Sequence, residues 1–243
     1  MYFVVNADDF GMNEKISSAI VKAFTEKRIN RTTIMVNMDY FEEAYMESKH
    51  NGFSSAVGLH LNLTKGIPLT NKIKKYELFC DKNGLFNGKS MQNNLHRLLP
   101  ITKDAKNAVY EEIDAQFKKY LDCYGHEGAL HMDSHHHIHK NMNILPICID
   151  IAKIYGFRSI RFAKKSGSYV NYIYNTIVNQ KIKAKMEQPY YELFDSVDDY
   201  NTRSRKVKDM CFEVECHPKE IEGVLYDGET PLPLLEYYEK RYE

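Results

Sequence analysis

Residues 2–24 read YFVVNADDFGMNEKISSAIVKAF, and this stretch decides the fold. Tyr2 to Asn6 is a short apolar run of the kind that forms a buried strand. Ile16, Ala19, Ile20, Ala23 and Phe24 recur at the spacing of one helical face, and Asn13 is placed to cap that helix. A strand that feeds directly into a helix is the repeating unit of a parallel sheet. The same unit recurs downstream. Thr32 to Val36 predicts a second strand and Phe41 to Lys49 a second helix, ending at Asn51-Gly52; Ala56 to Leu61 predicts a third strand.

Residues from about 62 to 104 break the rhythm, with turn signals at Gly66, Pro68, Asn83-Gly84 and Asn87-Gly88. They are expected to form a long excursion over one face of a single domain spanning 1–243. The pattern then resumes. Val109, Ile113, Phe117, Tyr120 and Tyr124 mark a helix that stops at Gly125. Ala129 to Asp133 predicts a strand, Ile144 to Tyr155 a helix closed by Gly156, and Ser159 to Phe162 another strand. Lys164 to Arg205 is the least readable segment. A last strand is expected at Met210 to Glu215, with a terminal helix after Pro231. No Gly-x-Gly-x-x-Gly follows the first strand, which argues against a dinucleotide-binding open sheet. The expected fold is therefore an α/β, distorted (β/α) barrel of mainly parallel strands.

Composition excludes other classes. The 243 residues carry 33 Lys+Arg against 33 Asp+Glu, so no charge imbalance favours nucleic acid or an anionic membrane surface. The apolar run at the N-terminus, Phe3-Val4-Val5, is too short for a signal peptide or a membrane span, which gives a cytoplasmic expectation. Five scattered cysteines without a Cys-x-x-Cys pair predict reduced thiols.

Three polar clusters fall just after predicted strands: Asn6 to Gly11, Gly58 to Thr64 and His131 to His139. In parallel α/β architectures the C-terminal strand ends converge on one face, so clusters distant in sequence meet there. Carboxylates with imidazoles from two other strand ends suit a divalent metal, and one Asp with two His leaves positions open for water and substrate. Asp8 and Asp9 cannot both point inward from a regular strand. If the chain turns there, as Gly11 suggests, one holds a metal while the other acts as a base. Each cluster has a plain alternative: an Asp-Asp turn, a satisfied buried His60, an adventitious histidine patch. Five of the ten histidines lie within 131–139, which cannot all be charged or buried cheaply together.

The strings NADDFG at 6–11, GLHLNLTKGIPL at 58–69, HMDSHHHIH at 131–139 and ECHP at 215–218 resemble those of the YdjC-like carbohydrate deacetylases, the ChbG-type family of chitooligosaccharide deacetylases. The resemblance runs through about residue 165 and returns at the last strand. It implies a distorted α/β barrel, a divalent cation, reported as magnesium, and a homodimer. It also implies Asp9, His60 and His135 as metal ligands and Asp8 as catalytic base; Mg2+ is the expected ion on that resemblance, and spacing alone also fits Zn2+. The expected reaction is hydrolysis of an N-acetyl group on a small acetylated sugar, releasing acetate.

Other roles follow from chemistry at strand ends. His217 is the candidate general acid for the departing amine, and Arg161 a candidate donor to the oxyanion. His137 and His139 are candidate substrate contacts, and Asp133 a candidate partner for the second ring nitrogen of a ligating histidine. The Asp/His/His set also fits a phosphoester hydrolase or a non-haem iron oxygenase, and a non-catalytic sugar- or metal-binding protein is the remaining alternative.

Overall fold

The computed structural model describes residues 3–89, 99–164, 168–187, 191–194, 211–228 and 234. Its first unit is strand β1 (Phe3–Phe10) followed by helix α1 (Glu14–Thr25). Asn13 caps α1 as expected, its side chain accepting from the Ile16 N–H at 3.0 Å. There follow β2 (Arg31–Ile34), α2 (Phe41–His50), β3 (Val57–Leu61), α3 (Lys103–Tyr124), β4 (His131–Ser134), α4 (Leu145–Ile154) and β5 (Ser159–Ile160). The later elements are α5 (Tyr169–Lys183), β6 (Tyr191–Phe194), β7 (Cys211–Cys216) and a hairpin of β8 (Pro218–Ile221) and β9 (Val224–Asp227). The terminal helix expected after Pro231 falls outside the described residues, apart from Leu234.

Seven strands form one sheet in the order β5-β4-β3-β2-β1-β7-β6, with every pairing parallel. Read as a circle, this is the sequential order of a (β/α) barrel, with β7 closing onto β1 and, among the described residues, no ladder between β5 and β6. The distorted barrel expected from sequence is thus an opened, curled one. Side chains confirm the curl: Arg161, just past β5, reaches Glu213 on β7 at 2.6 Å and also bonds to Asp8 on β1.

Alternation along the strands separates two environments. Val5, Ala7, Leu59, Leu61, Met132, Ile160, Phe212 and Val214 face the helices and join one apolar core. On α3, Val109, Ile113, Phe117, Tyr120 and Tyr124 supply the expected buried face, and Gly125 ends the helix at φ 56°. The described part of the excursion packs into the same core through Ile73, Phe79, Cys80 and Phe86. It is pinned by Glu112 of α3, whose buried carboxylate accepts from the Leu69 and Thr70 N–H groups at 3.1 and 2.8 Å. Gly58 is required by a close approach, since a Cβ there would sit 2.7 Å from the His131 carbonyl oxygen of the neighbouring strand. All five cysteines are free thiols. Among the described residues, no helix is long and apolar enough to cross a membrane.

Candidate active site

The inward faces of β1, β2, β3, β4 and β7 carry polar side chains, and their C-terminal ends converge. Asp8 follows the inward alternation set by Asn6. Asp9 breaks it by adopting φ 71°, and the β1–β2 register shifts between Ala7 and Phe10. That left-handed conformation is costly for a non-glycine residue and concentrates at functional sites. Here it lets two successive carboxylates serve one face. The turn lies at Asp9 itself, two residues before the glycine that suggested it.

Asp9 Oδ1 lies 3.1 Å from His60 Nε2 and 2.8 Å from His135 Nδ1. His60 comes from β3, and His135 opens the 3-10 turn His135–Lys140 that follows β4. In that turn His136 and His137 both take positive φ, 54° and 50°, so the chain reverses tightly and aims successive rings in different directions. Despite the short separations, Asp9 Oδ1 is buried with no aligned hydrogen bond. Three ligand atoms converge on a common point without bonding one another, which is the arrangement a cation needs. Behind His60, Asp133 Oδ1 lies 2.7 Å from Nδ1, fixing the ring so that Nε2 faces Asp9. Thr33 donates to Asp133 Oδ2 at 2.9 Å. The donors present therefore fit a divalent ion held by Asp9, His60 and His135.

Asp8 stands beside this group and lines the same cleft, of about 380 Å³, with His137, Glu215 and His217. A second lobe of similar size shares Asp8, Asp9 and His217 and runs between α1 and the β8–β9 hairpin. Burial acts to raise the Asp8 pKa, but the charge and hydrogen bonds of Arg161 outweigh it and hold the carboxyl far below its usual range. Asp8 is therefore ionised at any working pH. Burial likewise works against the charge on Asp9, and contacts with His135 and His60 overcome it. For His217 burial favours the neutral ring, yet Asp8, Asp9, Glu215 and Asp227 together raise its pKa. His131 and His139 are driven neutral, mainly by burial, and His136 falls to about 4 for the same reason with help from His135. This is how the chain tolerates so many histidines in one segment.

Arg161 and His139 do not reach the cleft. Arg161 is fully buried and divides its donors among Asp8, Asp133, Glu213 and Glu215. With five N–H groups so engaged, it has none for a developing oxyanion, so its place is behind Asp8 rather than over the substrate. His139 is wholly buried, its Nδ1 2.6 Å from Ser134 Oγ, and it packs inside the turn instead of facing a substrate. His137 does line the cleft, half-buried, with Nε2 3.5 Å from Glu215 Oε1.

Sequence reasoning passed over Asn6, Thr33, Arg31, Glu213 and Glu215. For the two glutamates the signal was present in F-E-V-E-C-H at 212–217, most of it β7, whose alternation sends Glu213, Glu215 and His217 to one face.

The YdjC-like protein family model matches residues 2–223. The chain belongs to the YdjC-like family. This YdjC-like protein is 27% identical over 235 residues to a carbohydrate deacetylase of Clostridium beijerinckii, covering 95% of this chain and 86% of that one. It is 34% identical over 157 residues to a carbohydrate deacetylase of Brevibacillus brevis, covering 64% of this chain and 57% of the relative. A chitooligosaccharide deacetylase of Citrobacter koseri is 26% identical over 245 residues. Among solved structures, an Enterococcus faecalis V583 protein provisionally named for cellobiose-phosphate cleavage shares the fold, with TM-score 0.70 and 24% identity over 91% of this chain and 82% of that one.

Proposed function

We propose that this YdjC-like protein is a metal-dependent hydrolase that removes N-acetyl groups from acetylated amino sugars such as chitooligosaccharides. The observation that carries the reading is the convergence of Asp9, His60 and His135 on one unbonded buried point with ionised Asp8 beside it. The deacetylase names of the relatives supply the substrate class.

A divalent ion held by Asp9, His60 and His135 would polarise the acetyl carbonyl and make a water more acidic. Asp8 accepts the proton as the water oxygen bonds to the carbonyl carbon, and Arg161 keeps its carboxylate charged and fixed in plane. The carbon–nitrogen bond then breaks, and His217 gives its proton to the departing nitrogen, leaving acetate and a free amine. The carboxylates that raise the His217 pKa keep that proton available. His137 offers a ring N–H to a sugar hydroxyl from the cleft wall. Two imidazole nitrogens and one carboxylate oxygen suit zinc or a similar borderline ion better than magnesium, which favours oxygen shells. Zinc is thus our first choice of ion, with the magnesium implied by family resemblance as the comparison.

The test is acetate release from diacetylchitobiose by enzyme treated with chelator and reloaded with Zn2+ or Mg2+. Chelation should abolish release and one of the two ions restore it. Asp8→Asn should keep its metal and lose about 10²- to 10⁴-fold in rate. Release unaffected by chelator defeats the metal role. Phosphate release from phosphoesters, or oxygen consumption, in place of acetate would indicate the rival metal enzymes. We extend the proposal to a single catalytic domain acting as a cytoplasmic homodimer, with light scattering as the check on assembly.

A further inference from the structure

Beneath Asp8, five side chains close a ring. Arg161 Nη1 donates to Asp8 Oδ2, and Arg161 Nε donates to Glu213 Oε1 at 2.6 Å. Arg31 Nη2 lies 2.8 Å from that same Glu213 oxygen, and Arg31 Nε donates to Asn6 Oδ1 at 2.7 Å. Asn6 Nδ2 returns to Asp8 Oδ1 at 2.8 Å. Every member is buried, and only Asp8 lines the cleft.

The ring has a direction. Arginine carries donors alone, so Arg31 takes the oxygen of Asn6 and turns its NH2 toward Asp8. Glu213 accepts from Arg161 Nε, pairs its charge with Arg31 Nη2, and sets the spacing between the two arginines. Asp8 thereby receives one donor from β1's own Asn6 and others from Arg161, with its plane fixed on both sides. Apolar residues would fill a barrel interior without the desolvation cost of this charge cluster. What the ring produces that apolar filling would not is a carboxylate held in one orientation.

We propose that Asn6, Arg31 and Glu213 are positioning residues that act through Asp8. This rests on Asp8 being the catalytic base. Glu213 and Arg31 lie on different strands from Asp8 and never meet the substrate, so their effect belongs in kcat rather than KM. A displaced base costs rate steeply, and a loss of about 10- to 100-fold is expected for Glu213→Gln.

The deciding experiment is a double-mutant cycle on acetate release from diacetylchitobiose by the metal-loaded enzyme, with KM, bound metal and melting temperature measured for each variant. Glu213→Gln should lower kcat about 10- to 100-fold, with KM within about twofold and metal retained. Combined with Asp8→Asn, it should add no further loss, because the residue it positions is already disabled. Losses that multiply in the double variant, or a Glu213→Gln enzyme with unchanged kcat, overturn the positioning role. If Asp8→Asn is itself fully active, the base reading fails first, and the proposal falls with it. Should Glu213→Gln not fold, Asn6→Ser, which removes the donor to Asp8 from the opposite side of the ring, enters the same cycle with the same expected outcomes.

Discussion

The barrel interior and the layer between its strands and helices differ as much as two solvents. Outside the strands, Val5, Leu59, Met132, Phe212 and Val214 belong to one apolar core shared with residues of α1, α3 and α4. Inside, Asn6, Asp8, Arg31, Thr33, His60, Asp133, Arg161 and Glu213 are just as buried and almost wholly polar. In many (β/α) barrels the interior is filled with branched aliphatic layers. The contrast teaches a division of labour: the outer layer supplies cohesion, while the inner one spends some of it to hold charges at fixed positions below the cleft.

Substitutions in each layer put that division to the test. Arg161→Met should have the largest effect, because it leaves Asp8, Asp133, Glu213 and Glu215 without their shared cation. Losing one partner from a buried charge set costs about 3–5 kcal/mol, and turnover should fall as well; chemical denaturation and acetate release measure both. Ile113→Ala, in the outer layer, should cost about 3 kcal/mol in denaturation while kcat and metal content stay near native in the folded fraction. If it damages the chemistry as Arg161→Met does, the two layers are not separable. Gly58→Ala drives a Cβ against the His131 carbonyl and should cost about 1–3 kcal/mol. Because β3 also carries His60, weaker metal binding should accompany that loss.

The smallest effect is a slope. Glu213 has its pKa lowered from 4.5 to about 2, burial being outweighed by Arg31 and Arg161. A depressed carboxylate contributes stability that is complete above its unfolded pKa and disappears as pH falls through the folded one. Melting temperature should therefore drop between pH 4.5 and 2, and less steeply in Glu213→Gln. An equal slope in both proteins would take Glu213 out of the acid response.

The outer layer was readable from residues alone because apolar spacing reports it directly. The helical faces of α1 and α3 and the caps at Asn13 and Gly125 stand where the periodicity puts them. The inner layer was harder. Alternating polar and apolar residues, as in β7, ordinarily describe a strand with one face in water, and only closure of the sheet turns that face inward. Asp8, Asp9, His60 and His135 were noticed because they cluster after strands. Asn6, Arg31 and Glu213 sit within strands and look like solvent-side residues. Residues 164–205 concealed α5, since Tyr169 and Val170 are 78% and 73% exposed and blur its periodicity. The β8–β9 hairpin turns at Glu222-Gly223, both at positive φ, a two-residue signal that went unread.

Among the described residues the sheet is not closed by a ladder between β5 and β6. At that seam no backbone rungs join the two edges among the described residues, and Arg161 ties β5 to β7 by side-chain charge. Among the described residues the circumference is therefore held by side-chain charge at this seam and by amide rungs along the paired strands. Neutralising the carboxylates should unlatch it locally, so deuterium uptake in acid should begin at β5 and β6 while the β1–β2 rungs remain protected.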